Sequence, residues 1–161
     1  MGQLYTARFD NVTVTALQDL FEIKAASTCA VIIHDWSIYQ TSDTSDAAEE
    51  ILRIETVRGD SAEISGSGGT TVTPQKVGSL QAAAVSTVEA NNTTRMAGGS
   101  PPGSSDITGT FGWNVRVPLE KVYTPETRPI IGPGAYWALA LPAPPADALT
   151  MGGTITFEEI G

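Results

Sequence analysis

The sequence predicts an all-β fold: a single-domain antiparallel sandwich of the jelly-roll type, spanning residues 1–161, with about eight strands. Three observations lead there. Apolar and polar residues alternate with a period of two in several stretches, most clearly Val31 to Tyr39, Phe111 to Leu119 and Gly152 to Ile160. No stretch of comparable strength has helical spacing. Hydrophobic residues make up 41 % of the chain and charged residues only 17 %, the balance being rich in Gly, Ser, Thr, Ala and Pro. That mixture suits strands joined by turns and long loops rather than a helical bundle. A chain of 161 residues is the size of one domain and buries roughly two thirds of its unfolded surface without metals or disulfides. No internal repeat or linker divides it.

The elements follow in order. Leu4, Thr6 and Arg8 alternate with Tyr5, Ala7 and Phe9, and the pattern resumes at Val12 and Val14 after a turn or bulge at Asp10-Asn11. Leu20 to Ala25 is a second, short strand. Ala30 to Gln40 is the strongest, with Ile32, His34, Trp36 and Ile38 on one face and Val31, Ile33, Asp35, Ser37 and Tyr39 on the other. Thr41 to Glu50 reads as an acidic loop with room for one helical turn at Ala47 to Glu50. Ile51 to Arg58 is a strand presenting Leu52, Ile54 and Thr56 on one face. Two long loops, 59–81 and 91–109, flank a weaker strand at Ala84 to Ala90, and loops of that length in a compact domain tend to be functional. Phe111 to Val122 alternates again, with Pro118 marking an edge or a break near its end. Ala135 to Leu141 places Trp137, Leu139 and Leu141 on one face, and Gly152 to Ile160 closes the series.

The available chemistry is sparse. His34 is the single histidine and Cys29 the single cysteine, so a multi-histidine or cysteine-rich metal centre cannot be assembled, and no cofactor is expected. His34 lies mid-strand with no Gly-x-Ser-x-Gly motif beside it, which makes it a structural histidine rather than a general base. Glu49-Glu50 and Glu158-Glu159 are adjacent pairs, and in a strand adjacent side chains point to opposite faces, so neither forms a glycosidase dyad. Asp43, Asp46, Glu49 and Glu50 lack the glycine and ligand spacing of a calcium loop. Gly66 to Gly69 and Gly98-Gly99 lack the lysine and following helix of a phosphate loop. The chain reads as a non-enzyme.

A net charge of −9 with nine scattered Lys and Arg residues leaves no basic stripe for a nucleic acid. Membrane association is not expected either, since the most apolar stretch, Tyr136 to Leu149, is broken by Pro142, Pro144 and Pro145. No secretory signal is read at the amino terminus, although Met1-Gly2 with Thr6 fits the loose myristoylation template.

The stretch Arg128-Pro129-Ile130-Ile131-Gly132-Pro133-Gly134, the Trp-containing strand after it, and Ala146 to Glu159, taken with the opening Tyr5 to Val14 strand, resemble the small β-rich decoration or cement proteins of tailed-bacteriophage capsids. The resemblance is one of size, strand pattern, loop composition and acidity. It implies a virion structural protein made in the host cytoplasm and located on the capsid exterior, with the major capsid protein and further copies of itself, as a homotrimer, for partners. Candidate assembly contacts are Trp36, Trp113 and Trp137 as apolar anchors, with Gly68, Gly69, Pro101 and Pro102 in the two long loops. A trimeric receptor-binding or tail-fibre head that recognises carbohydrate is the alternative, and a carboxylate glycosidase ranks behind both.

Overall fold

The computed structural model describes residues 2–41, 49–98 and 106–161. These form fourteen strand segments and no helix. The first four are β1 (Gln3–Val14), β2 (Gln18–Lys24), β3 (Ala30–Gln40) and β4 (Ile51–Gly59). Five short ones follow: β5 (Glu63–Ile64), β6 (Thr70–Val72), β7 (Gln75–Lys76), β8 (Thr87–Asn92) and β9 (Ala97–Gly98). The remainder are β10 (Asp106–Asn114), β11 (Leu119–Val122), β12 (Ile130–Ile131), β13 (Tyr136–Leu141) and β14 (Leu149–Ile160).

Two antiparallel sheets pack face to face. The first has the order β11-β3-β14-β1-β7, with β12 also on β3, and the second the order β10-β4-β13-β2-β8-β6. Eight strands form the frame, and their pairings nest: β1 with β14, β2 with β13, β3 with β11, and β4 with β10. Such nesting is compatible with the expected jelly roll, in which one long antiparallel hairpin is wound into two sheets.

Residues 60–105 lie between β4 and β10, and their described part is more regular than the loop expected there. It adds β8 and β6 to the second sheet and β7 to the first, and pairs β5 with β9. Because β6 and β7 belong to different sheets and only Thr73-Pro74 separates them, this segment closes one edge of the sandwich. Its strands are two to six residues long and mostly polar, so of these the alternation marked only the weaker strand at Ala84 to Ala90, which overlaps β8.

Two details of alternation differ from the sequence reading. In β3 the buried residues are Val31 and Ile33, then Trp36 and Ile38. A bulge opposite Thr156 and Phe157 shifts the register at His34, so the phase changes halfway: Val31 and Ile33 point inward before it, Trp36 and Ile38 after it. The stretch Phe111 to Val122 is two strands in different sheets, the break falling at Val115 to Pro118. The bulge expected in β1 is present between Phe9 and Val12, with Asn11 in the left-handed region at φ 54°.

The core is built on aromatic contacts across the sandwich. Trp36 from the first sheet meets Phe111 from the second edge-on, with ring centroids 5.3 Å apart, and Phe9 meets Phe21 at 5.1 Å. Trp36 Nε1 donates to the Tyr123 hydroxyl at 3.2 Å and Trp113 Nε1 to the Val117 carbonyl at 2.8 Å. Trp36→Ala is expected to cost about 3–5 kcal/mol in urea unfolding, whereas Leu80→Ala, at a fully exposed position, is expected to stay within about 0.5 kcal/mol of the parent.

Candidate functional site

The two edges of the sandwich differ. At the edge opposite β7, the chain leaves β11 at Tyr123, turns through Thr124 to Thr127, and returns to β3 as β12. This detour stands away from the ends of β4 and β10 and leaves a cleft of about 540 Å³ between the two sheets. Such a volume is typical of a small-molecule site.

Three cations line the cleft: Arg58 from the end of β4, Lys121 from β11 and Arg128 from the detour. Arg58 is held by Asp106 at 2.8 Å, an exposed pair of small energetic value. Lys121 makes no ion pair among the described residues, and its ammonium lies 5.3 Å from the Tyr123 ring centroid and 6.0 Å from that of Phe111. Thr56, Thr108 and Thr127 supply hydroxyls, the first two bonded to each other at 3.0 Å. Pro129 and Ile131 give an apolar wall, and Trp137 closes the interior end. Trp137 sits directly opposite Arg58 in the β13–β4 ladder, so both point into the sandwich, one at its floor and one at its mouth.

Two polar atoms of this cleft, Arg128 Nε and Trp137 Nε1, are buried without a hydrogen-bond partner. Both are donor-only groups. A buried donor left unsatisfied costs about 1–3 kcal/mol, and both of these nitrogens belong to residues that line the cleft, beneath its accessible surface. No carboxylate, imidazole or thiol is among the described lining residues, and no nucleophile with an adjacent base is present there.

The residues singled out from the sequence lie elsewhere, with one exception. Trp36, Trp113 and Trp137 are at most 1 % exposed, which corrects their assignment as contacts between copies: each indole is consumed by the protomer's own core. Only Trp137 touches the cleft. Gly68 and Gly69 pack on β8, where a Cβ at Gly69 would collide with the Ala90 carbonyl, and Gly68 has φ +85°. They shape the turn into β6. Pro101 and Pro102 lie outside the described residues, as do Asp43, Asp46, Ala47 and Ala48. Glu158 and Glu159 do point to opposite faces: Glu158 meets His34 at 2.9 Å, while Glu159 is buried and accepts the Ser86 amide at 2.7 Å. Cys29 is buried, with Ser86 Oγ at 3.5 Å from its sulfur. Among the described residues no group of three or more His, Cys, Asp or Glu side chains could hold a metal ion.

A second concentration of polar groups lies on the outer face of the second sheet, beneath residues 63–69 and 93–96. Glu22 accepts from the Gly66 amide at 2.8 Å, Ser65 Oγ at 2.5 Å and Asn92 Nδ2 at 3.2 Å. Asp19 accepts from Arg95 Nε at 3.1 Å and from the Met96 amide. Burial pushes the Asp19 carboxyl from its ordinary 3.8 up to about 6, against the opposing pull of the Met96 amide and Arg95. Residues 65–72 are therefore part of the fold, since removing them would take from Glu22 the Ser65 hydroxyl and the Gly66 amide and leave it Asn92 alone.

Comparison with protein-family models, with curated proteins and with solved structures returns no match. The cleft itself carried no sequence signal, since its cations come from β4, β11 and a turn, with no fixed spacing.

Folded Asp19 holds its proton more tightly than the unfolded chain does, so the folded state binds more protons between about pH 4 and 6, and its contribution to stability falls as pH rises through that window. Asp19→Asn is expected to remove about 2–3 kcal/mol of that pH dependence, read as the difference between urea midpoints at about pH 4 and pH 7.

Proposed function

We propose that this chain is a virion structural protein, a decoration or cement protein that binds and stabilises the outer face of a phage capsid as a homotrimer. The observation that carries this is an ordered apolar arm. After β7 the chain runs through Val77, Leu80 and Val85, which are 55 %, 100 % and 59 % exposed. The arm is tied down at both ends and beneath. Val77 donates its amide to the Leu4 carbonyl at 3.1 Å, Val85 and Ser86 donate theirs to Glu159, and the Ala82 carbonyl lies 3.1 Å from the Tyr5 hydroxyl.

Aliphatic side chains held out on an anchored arm cost little to order on binding, because their backbone is already fixed. They offer apolar surface to a neighbouring subunit while the sandwich behaves as a rigid body. This suits a protein that acts by covering a seam, with the major capsid protein as partner and the capsid exterior as location. An acidic surface keeps the free protein dispersed before assembly in the host cytoplasm. The carbohydrate-reading alternative is favoured by one feature only, the cleft at the opposite edge.

The double substitution Val77→Asp with Leu80→Asp is expected to lower co-sedimentation with phage heads by about tenfold or more, with the circular dichroism of the β fold unchanged. Attachment at the parental level would overturn the reading. Light scattering of the parent is expected to give the mass of a trimer.

A further inference from the structure

We propose that the cleft at the β10–β11 edge is a binding site for an acidic sugar, with the carboxylate of a uronic or similar sugar acid received by Arg128 and Lys121. The site is distinct from the apolar arm, since β11 and β7 are opposite edges of the first sheet. It goes beyond the capsid-contact reading and does not depend on it.

Four observations select the ligand class. The chain has nine Lys and Arg residues against eighteen Asp and Glu, yet three of the nine converge on this cleft and no carboxylate is among its described lining residues, with Asp106 on Arg58 and Glu126 near Arg128 offsetting only part of that charge. The local excess is positive, so the ligand is an anion. Arg128 is half-buried and Lys121 makes no ion pair among the described residues, so the anion's oxygens meet the Arg128 guanidinium edge and the Lys121 ammonium. A carboxylate matches the planar fork of a guanidinium, and charge-assisted bonds of this kind are the strong ones.

The third observation separates a sugar from a simple inorganic anion. The Phe111 and Tyr123 rings, with Pro129 and Ile131, give the cleft an apolar surface that sulfate or phosphate cannot use, and the C–H face of a pyranose can. The fourth is the trio of threonines. The Thr108 and Thr127 hydroxyls donate to the Thr56 and Thr124 carbonyls, so what the threonines offer a ligand is acceptor oxygens, which suits a ring bearing several hydroxyls and not the single acidic group of an Asp or Glu side chain. A volume of about 540 Å³ is roomy for one such ring.

The test is a calorimetric or tryptophan-fluorescence titration of the full chain with glucuronate and with a short uronic-acid oligosaccharide. Glucose, sodium sulfate and a glutamate-rich peptide run alongside. Saturable binding of the acidic sugars is expected, with glucose about tenfold or more weaker. Arg128→Gln and, separately, Lys121→Gln are each expected to weaken the acidic sugar by about tenfold. Their thermal midpoints should match the parent, because both side chains are partly solvent-exposed at the cleft edge. Thr127→Val serves as a third variant that leaves the charge intact and should weaken both the acidic sugar and glucose. Absence of acidic-sugar binding, equal binding of sulfate or of the peptide, or full affinity in both charge variants would each overturn the proposal. Co-sedimentation of Arg128→Gln with phage heads should remain at the parental level, so failure of the sugar site and failure of the capsid reading give different results.

Discussion

β14 is held between β1 and β3, and the rest of the frame is conditional on that insertion. Its ladder with β1 runs from Gln3↔Glu159 to Val14↔Leu149, and its ladder with β3 from Ala30↔Ile160 to Gln40↔Met151. Both join segments far apart in sequence, so their closure entropy must be met before the contacts form. On the facing sheet β2 and β13 pair, each a short connection away from β1 and β14, and the β3–β11 and β4–β10 pairs nest inside them. The glycine pair in β14 serves this geometry. A side chain at Gly152 would collide with the Tyr39 ring on β3, and one at Gly153 with Phe9 on β1. The central strand is narrow where its two neighbours lay aromatic rings across it.

The second sheet has an unusual outer face for a two-layer sandwich. Tyr136, Ala138 and Ala140 are buried there with Val57 and Met96, and Asp19, Glu22 and Asn92 are buried beside them. An apolar patch alone would hold the covering segment without specifying where it sits. The carboxylates add register, because each accepts hydrogen bonds from named backbone amides, Gly66 for Glu22 and Met96 for Asp19. A buried carboxylate so partnered contributes little net stability, but misplacement by one residue would leave a charge unsatisfied at high cost. The raised proton affinity of Asp19 measures how incompletely its partners offset the loss of water.

The sheet class, the long strands and their core faces were legible in the sequence because alternation survives wherever one face is wet and the other dry. Tyr5, Ala7 and Phe9 are buried as the pattern requires, and so are Trp137, Leu139 and Leu141. The pattern misled where the backbone departs from strict alternation, at the His34 bulge, and it says little where both faces are covered, as along β2. Tryptophans looked like contact anchors because a sequence shows that a residue is apolar but not which partner buries it. The cleft was invisible for a different reason. Arg58, Lys121 and Arg128 are ordinary isolated cations until β4, β11 and the 124–129 turn bring them to one cavity, and no local spacing encodes that meeting.

An anion-accepting cleft on a chain of net charge −9 is physically consistent. At physiological ionic strength exposed charges are screened over about 8 Å, so the distant carboxylates of the surface act weakly at the cleft. Inside it, Lys121 lies against aromatic faces and Arg128 is half-buried, where screening is weaker. Local donors therefore decide affinity there, and net charge decides what can approach in bulk. A polyanion such as a nucleic acid needs a basic track along successive phosphates, and it would meet repulsion on either side of so small a positive spot. A single acidic group on a compact, hydroxylated ring needs only the spot itself. The same balance that argues against nucleic-acid binding for the molecule as a whole leaves this one edge open to a small acid, and it does so without altering the apolar arm on the far side of the sandwich.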